Sequence, residues 1–266
     1  MAYTPTGRPR GRPRSTSAAP SPSPRKTKDK KTATTAQDVL LFYPNLIGYL
    51  RIACMVGSFW YANSNSRLFL VLYLLAFGGD VVDGWFARRF NQSSTFGGVL
   101  DMVTDRVSTC GLLYYVGTRV GRGDLLRLPL ASWLRLDFVW IGLIALDIFS
   151  HWFHVASVSG HHKSSESLKH RNALLQWYYS IYPLFGFACV GTELFYVFLY
   201  CASWPGLLAS HGLGPVSGAA ASGSAGTVLF WVLGAACALK QAVNVVQLLS
   251  AAHALAVGDA DQRSGK

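Results

Sequence analysis

Asp80-Val-Val-Asp83-Gly84-Trp-Phe-Ala87-Arg88, then eight residues, then Gly97-Gly-Val-Leu-Asp101-Met-Val-Thr-Asp105 sets four carboxylates inside sequence that otherwise reads as lipid-embedded helix. A carboxylate at such a depth costs roughly 3 kcal/mol on insertion scales, so four together require a strong compensating charge. Arg88 and Arg106 supply part of it; a divalent cation supplies more and suits oxygen-only ligands. At about 100° per residue, Asp80, Asp83, Gly84 and Ala87 share one helix face, with Arg88 at its rim and Arg89 on the opposite side. Gly97, Asp101 and Asp105 recur every fourth residue and share one side of the following helix. Between them, Asn91-Gln-Ser-Ser-Thr95 reads as a turn with Thr95 as N-cap. Asp83 and Asp101 each lie nine residues from Gln92, and Asp80 and Asp105 lie twelve and thirteen. In an antiparallel helix pair these acids meet at matching depths.

Working outward, half of the 266 residues are apolar and only 14% are charged, so long apolar runs override a soluble reading. The expected fold is all-α: an integral membrane bundle of six transmembrane helices at about 44–62, 67–91, 95–117, 136–154, 179–202 and 226–256, preceded by an N-terminal interfacial helix within Ala36–Tyr43. Cys54, Cys110, Cys189, Cys201 and Cys237 all lie in apolar runs without a Cys-x-x-Cys, which argues against both a disulfide framework and a zinc site.

The net charge of +11 is concentrated at the N-terminus, where nine basic residues face Asp29 alone before residue 37. Residues 1–36 are read as a disordered basic cytosolic tail, 37–256 as the membrane domain and 257–266 as a C-terminal tail. The tail has no apolar h-region, which excludes a secretory signal, and its prolines forbid the amphipathic helix of a mitochondrial transit peptide. Arg10-Gly-Arg-Pro13 is the core of a minor-groove hook. A polybasic tail near anionic lipid is the better reading, and no nucleic-acid partner is expected. Loop charge places the tail, Arg88/Arg89 and the His161–Arg171 loop in the cytosol, and Tyr61–Ser66 and Cys201–Ala225 in the lumen. Arg119, Arg122, Arg127 and Arg135 disagree, since six spans make that loop lumenal. Gly212–Gly226 reads as a flexible connector.

The pattern Asp-x2-Asp-Gly-x2-Ala-Arg-x8-Gly-x3-Asp-x3-Asp resembles the signature of the CDP-alcohol phosphatidyltransferases. The likeness extends from about Phe42 to near His253. It is greatest to the eukaryotic inositol-using branch, through Tyr43-Pro-Asn45-Leu-Ile-Gly48-Tyr-Leu-Arg51, Asp147-Ile-Phe-Ser150-His151-Trp152-Phe-His154 and Gly191-Thr-Glu193-Leu-Phe-Tyr196. The resemblance implies transfer of a phosphatidyl group from CDP-diacylglycerol to myo-inositol, with serine or glycerol 3-phosphate as the alternative acceptor. It also implies a multi-pass protein of the endoplasmic reticulum membrane with a cytosolic active site, membrane lipids as partners, and a homodimer.

On that reading Asp80, Asp83, Asp101 and Asp105 ligate Mg2+ or Mn2+ in a two-metal site, and Asp105 is the general base. Gly84, Ala87 and Gly97 leave room for the nucleotide, and Arg88 faces its diphosphate. Asp147, Ser150 and His151, on one stripe with His154, are the acceptor candidates. Asn45 and Arg51 either help to fix the nucleotide or hold the second span, and Lys163–Lys169 is a loop at the site mouth. Glu193 and Lys240 are expected to form a buried ion pair between the last two spans. Alternatively, Lys240, Asn244 and Gln247 line a lipid groove. A cation transporter is disfavoured because no charge continues the path past helices two and three; a scaffold would leave the acids unexplained.

Overall fold

The structure, a computed structural model, describes residues 34–121, 137–160, 180, 182–213 and 224–264. The described residues form helices and connecting turns only: α1 (Ala36–Leu40), α2 (Tyr43–Tyr61), α3 (Ser66–Arg89), α4 (Thr95–Gly121), α5 (Asp137–Gly160), α6 (Tyr182–Ala202), α7 (Leu207–Ser210) and α8 (Ala225–Arg263). Most of the basic tail, the His161–Arg171 loop, Arg122, Arg127, Arg135 and most of the Gly212–Gly226 connector lie outside the described residues.

Each of the six expected spans has a long helix. Three are long and apolar enough to cross a membrane: α3, α5 through Ser157, and α8; Gly186–Ala202 within α6 is apolar but shorter. The composition of α2 and α4 explains why they fall short. α4 carries Asp101, Asp105, Arg106 and Arg119, and α2 is diluted by Pro44, Asn45, Gly48, Arg51 and Ser58. Several of those residues build the site described below. α8 runs on to Arg263, through most of the segment read as a C-terminal tail.

The helix starts follow local chemistry. Thr35 and Asp38 close a capping box on α1, and the Thr35 N–H and hydroxyl hold the exposed Asp38 carboxyl below its ordinary range. Asn65 caps α3 by accepting from the Leu68 N–H at 3.1 Å, and Ser224 caps α8 by accepting from Thr227 at 3.2 Å. The α3–α4 turn is made by Asn91 in the left-handed region (φ 53°), a conformation asparagine tolerates. The N-cap of α4 is Ser94, one residue before the expected Thr95. Its hydroxyl accepts from the Gly97 N–H at 3.0 Å, so of two adjacent cap-forming residues the fold uses the earlier. Gln92 pins the turn to α2, its side-chain carbonyl accepting from the Tyr43 N–H at 3.0 Å.

The apolar core lies towards the start of α3 and the end of α4, away from the acids. Phe69, Tyr73, Leu113, Val116 and Leu199 are buried there, and the Phe69 and Tyr200 rings pack at 4.0 Å. α6 and α8 approach closely where Gly191 faces Ala236: a Cβ on Gly191 would stand 2.6 Å from that of Ala236. Arg119, discordant in the loop-charge pattern, belongs to α4 and sets its guanidinium 4.0 Å from the Trp204 ring.

Glu193 does not pair with Lys240. α6 turns it towards α3 and α4, where the Tyr73 hydroxyl donates to one carboxyl oxygen and the Thr109 hydroxyl to the other at 3.3 Å. Tyr73 is fully buried and Glu193 nearly so, so a three-helix hydrogen-bond cluster takes the place of the expected ion pair. Asn244 and Gln247 are buried too, and Asn244 donates to Gln241 at 3.4 Å, which places them inside the bundle rather than along an open lipid groove.

Candidate active site

The four aspartates meet around one arginine. Arg51, from α2, sets Nη1 2.5 Å from Asp83 Oδ2, 2.7 Å from Asp101 Oδ1 and 3.3 Å from Asp80 Oδ1, and Nη2 2.6 Å from Asp105 Oδ1. Its Nε donates to the Ala76 carbonyl at 3.1 Å. The two-helix site read from the motif is therefore a three-helix site. Asp80 and Asp83 come from the last three turns of α3, and Asp101 and Asp105 from the start of α4. The Asn91–Ser94 turn folds the two helices back on each other, which converts the matched spacing about Gln92 into proximity.

Asp80, Asp101 and Asp105 each offer an oxygen within 4.8 Å of the others. A convergent, oxygen-only set of that size fits a hard divalent cation such as Mg2+ or Mn2+. Asp83 is the buried member, while Asp80 and Asp101 keep 41% and 44% of their side chains exposed.

Beside the acids lies a cavity of about 180 Å³, whose lining includes Asn45, Asp83, Gly84, Ala87, Gly97 and Asp101. The three small motif residues thus border one space with two of the acids. Gly97 has a second reason to lack a side chain, since a Cβ there would stand 2.8 Å from Asn45 Oδ1. Asn45 is buried and donates to the Val39 carbonyl at 2.5 Å, tying α1 to the wall of the cavity. Arg88 is exposed and lies over Gly84, with Nη1 3.4 Å from where a Cβ would stand.

A second polar set continues from the first. Arg106 lies 3.8 Å from Asp105 through Nη2 and donates to Asp147 Oδ1 at 2.7 Å through Nη1, joining α4 to α5. Ser150 and His151 turn back on their own helix: the Ser150 hydroxyl donates to the Asp147 carbonyl at 3.1 Å, and His151 Nδ1 lies 2.8 Å from the same oxygen. Asp147 Oδ2 is buried and has no hydrogen-bond partner among the described residues. Among the acceptor candidates, Asp147 thus keeps a buried polar atom uncommitted.

Sequence reasoning left Arg51 with two possible roles, and it missed Gly79. A Cβ on Gly79 would stand 2.7 Å from Arg51 Cγ, so the arginine stem crosses α3 only because that position is glycine. The Gly78-Gly79 pair directly before Asp80 was the available signal.

An acid cluster of cation-binding size beside a small cavity in an apolar helical bundle suits metal-assisted chemistry at a membrane. The sequence profile of the CDP-alcohol phosphatidyltransferases matches residues 41–258, and the chain belongs to that family. Among curated proteins, it is 40% identical over 163 residues to a probable CDP-diacylglycerol–inositol 3-phosphatidyltransferase 2 of Arabidopsis thaliana, a match that spans 60% of this chain and 66% of that protein, just under two thirds. It is 32% identical over 241 residues to the CDP-diacylglycerol–inositol 3-phosphatidyltransferase of Schizosaccharomyces pombe, spanning 85% and 93%. To the human enzyme of that name it is 34% identical over 234 residues, spanning 86% and 98%. No solved structure matches the chain significantly.

Proposed function

We propose that this protein transfers the phosphatidyl group of CDP-diacylglycerol to myo-inositol, giving phosphatidylinositol and CMP. The names of its relatives support the substrates, and the convergence of four carboxylates on Arg51, three of them within 4.8 Å of one another, beside the motif-lined cavity is the observation that carries the chemistry. An inositol hydroxyl oxygen bonds to the β-phosphorus, the bond from that phosphorus to the CMP oxygen breaks, and the hydroxyl proton passes to Asp105. Asp80, Asp83, Asp101 and Asp105 hold Mg2+ or Mn2+, in a two-metal arrangement. Bound there, the cations neutralise the diphosphate and lower the proton affinity of the attacking hydroxyl. Gly84, Ala87 and Gly97 admit the nucleotide, Arg88 takes its diphosphate at the rim, and Asp147 with His151 orients the acceptor.

A neutral polyol fits better than a phosphorylated acceptor. The Asp147 stripe itself carries no arginine or lysine, and Arg106 beside it is already shared between Asp147 and Asp105, which leaves Lys240 of α8 as the other cation near His151. The proposal places all six long helices across the endoplasmic reticulum membrane, with α1 at the interface and the acids facing the cytosol; it extends to a homodimer on family resemblance alone. The test is direct. Purified protein with CDP-diacylglycerol is given inositol, serine or glycerol 3-phosphate, and CMP release is measured. Release that depends on inositol alone supports the proposal; release with serine or glycerol 3-phosphate instead refutes the acceptor assignment.

A further inference from the structure

Arg51 stands where the four acids converge. It is 3% exposed and its guanidinium reaches all four carboxylates. The fold is shaped to hold it there: the Ala76 carbonyl accepts from Nε, and Gly79 opens the gap through which its stem passes. An arginine that merely neutralised one aspartate would need neither feature.

Two further observations give the contact a direction. One guanidinium against four carboxylates leaves three negative charges if all are ionised, so the cluster still attracts cations. The grip is also uneven. Asp83, the buried acid, is held at 2.5 Å, whereas Asp80, with 41% of its side chain exposed, is held loosely at 3.3 Å. Asp101 is held at 2.7 Å and is open as well. Each of the three acids that converge within 4.8 Å of one another is thus a ligand of Arg51 already.

We propose that Arg51 is a positioning residue that acts as the built-in counter-ion of the aspartate cluster and competes with the divalent cation for it. Arg51 stays anchored on Asp83 Oδ2 and yields Asp80, Asp101 and Asp105 when a cation binds, leaving the other Asp83 oxygen to the metal. The arginine thereby keeps like charges on α3 and α4 together at low metal and sets the cation concentration the site requires. This rests on the metal-dependent reading above and deepens it.

The experiment uses full-length protein in detergent: wild type, Arg51→Gln and Arg51→Lys. Mn2+ affinity is measured from the magnetic-resonance signal of the free ion, and thermal unfolding is followed in chelator and in saturating Mn2+. Removing the competing charge at a separation of about 3 Å should tighten Mn2+ binding by Arg51→Gln at least about tenfold. The same variant should melt below wild type in chelator and regain most of the difference in Mn2+, because the cation takes over the arginine's role. Arg51→Lys, whose ammonium cannot span all four acids, should fall between. Three results would overturn the proposal: Mn2+ affinity in Arg51→Gln equal to or weaker than wild type, a melting deficit unchanged by Mn2+, or a variant that cannot be recovered folded even when purified in Mn2+. Wild type that binds no Mn2+ would instead remove the metal-dependent reading itself, and this proposal with it.

Discussion

Replacing Glu193 tests how the bundle is held together. Its carboxyl group joins α6 to Tyr73 of α3 and Thr109 of α4, and no ion pair joins it to Lys240 among the described residues. Glu193→Ala leaves two buried hydroxyls without their acceptor, at about 1–3 kcal/mol each. Partial satisfaction by other groups trims this, since hydrogen-bond couplings in membrane bundles average about 0.6 kcal/mol and reach about 1.7. The burial of both partners puts Tyr73–Glu193 at the upper end, so a double-mutant cycle of Tyr73→Phe with Glu193→Ala, which removes the acceptor, should give a coupling of about 1–2 kcal/mol. The matching cycle of Lys240→Met with Glu193→Gln should give less than about 0.5 kcal/mol, the limit within which independent sites add. Reversible unfolding in mixed detergent micelles, followed by circular dichroism, measures both. A coupling near zero for the tyrosine, or one above about 1 kcal/mol for the lysine, would refute the three-helix cluster.

Asp105→Asn should lower turnover by about 10²–10⁴-fold while CDP-diacylglycerol still raises the melting temperature of the variant. Chelator should abolish CMP release, and adding back Mg2+ or Mn2+ should restore it. Gly97→Ala, which drives a methyl to 2.8 Å from Asn45 Oδ1, should cost about 1–3 kcal/mol in the same unfolding assay; Asn45→Ala in that background should recover part of the loss. Deleting residues 1–33 should leave turnover in detergent unchanged, because the described site draws on no residue before α1.

The acids were legible in the sequence because their geometry is local. Spacings of three and four residues fix a helix face, and symmetry about Gln92 fixes the depth. Arg51 was not legible in the same way. It lies 32 and 50 residues from Asp83 and Asp101, and only the packing of α2 into the α3–α4 groove decides where its guanidinium ends. Glu193 was misread for a related reason. Opposite charges in an apolar chain invite pairing, yet a tyrosine and a threonine hydroxyl on facing helices satisfy a carboxyl group equally well. Arg119 shows the same limit from the other side: charge counting treats it as a loop residue seeking water, whereas α4 extends to Gly121 and Trp204, just past the end of α6, serves as its partner.

The acid cluster also explains why the core lies at the opposite end of α3 and α4. Two unit charges about 4 Å apart repel by about 4 kcal/mol at the effective dielectric of a partly wet site, and this cluster contains several such pairs. That repulsion pushes the end of α3 away from the start of α4, and a change in helix tilt would relieve it. Arg51 opposes the push locally. The rest of the resistance comes from leverage: Phe69 and Tyr73 on α3, and Leu113 and Val116 on α4, lock the far halves of the same helices into a dry core. The Tyr73–Glu193–Thr109 cluster ties both helices to α6 between that core and the acids. Helices held rigidly at one end can present like charges at the other, so that the reorganisation a cation demands is confined to the release of Arg51 from part of its grip.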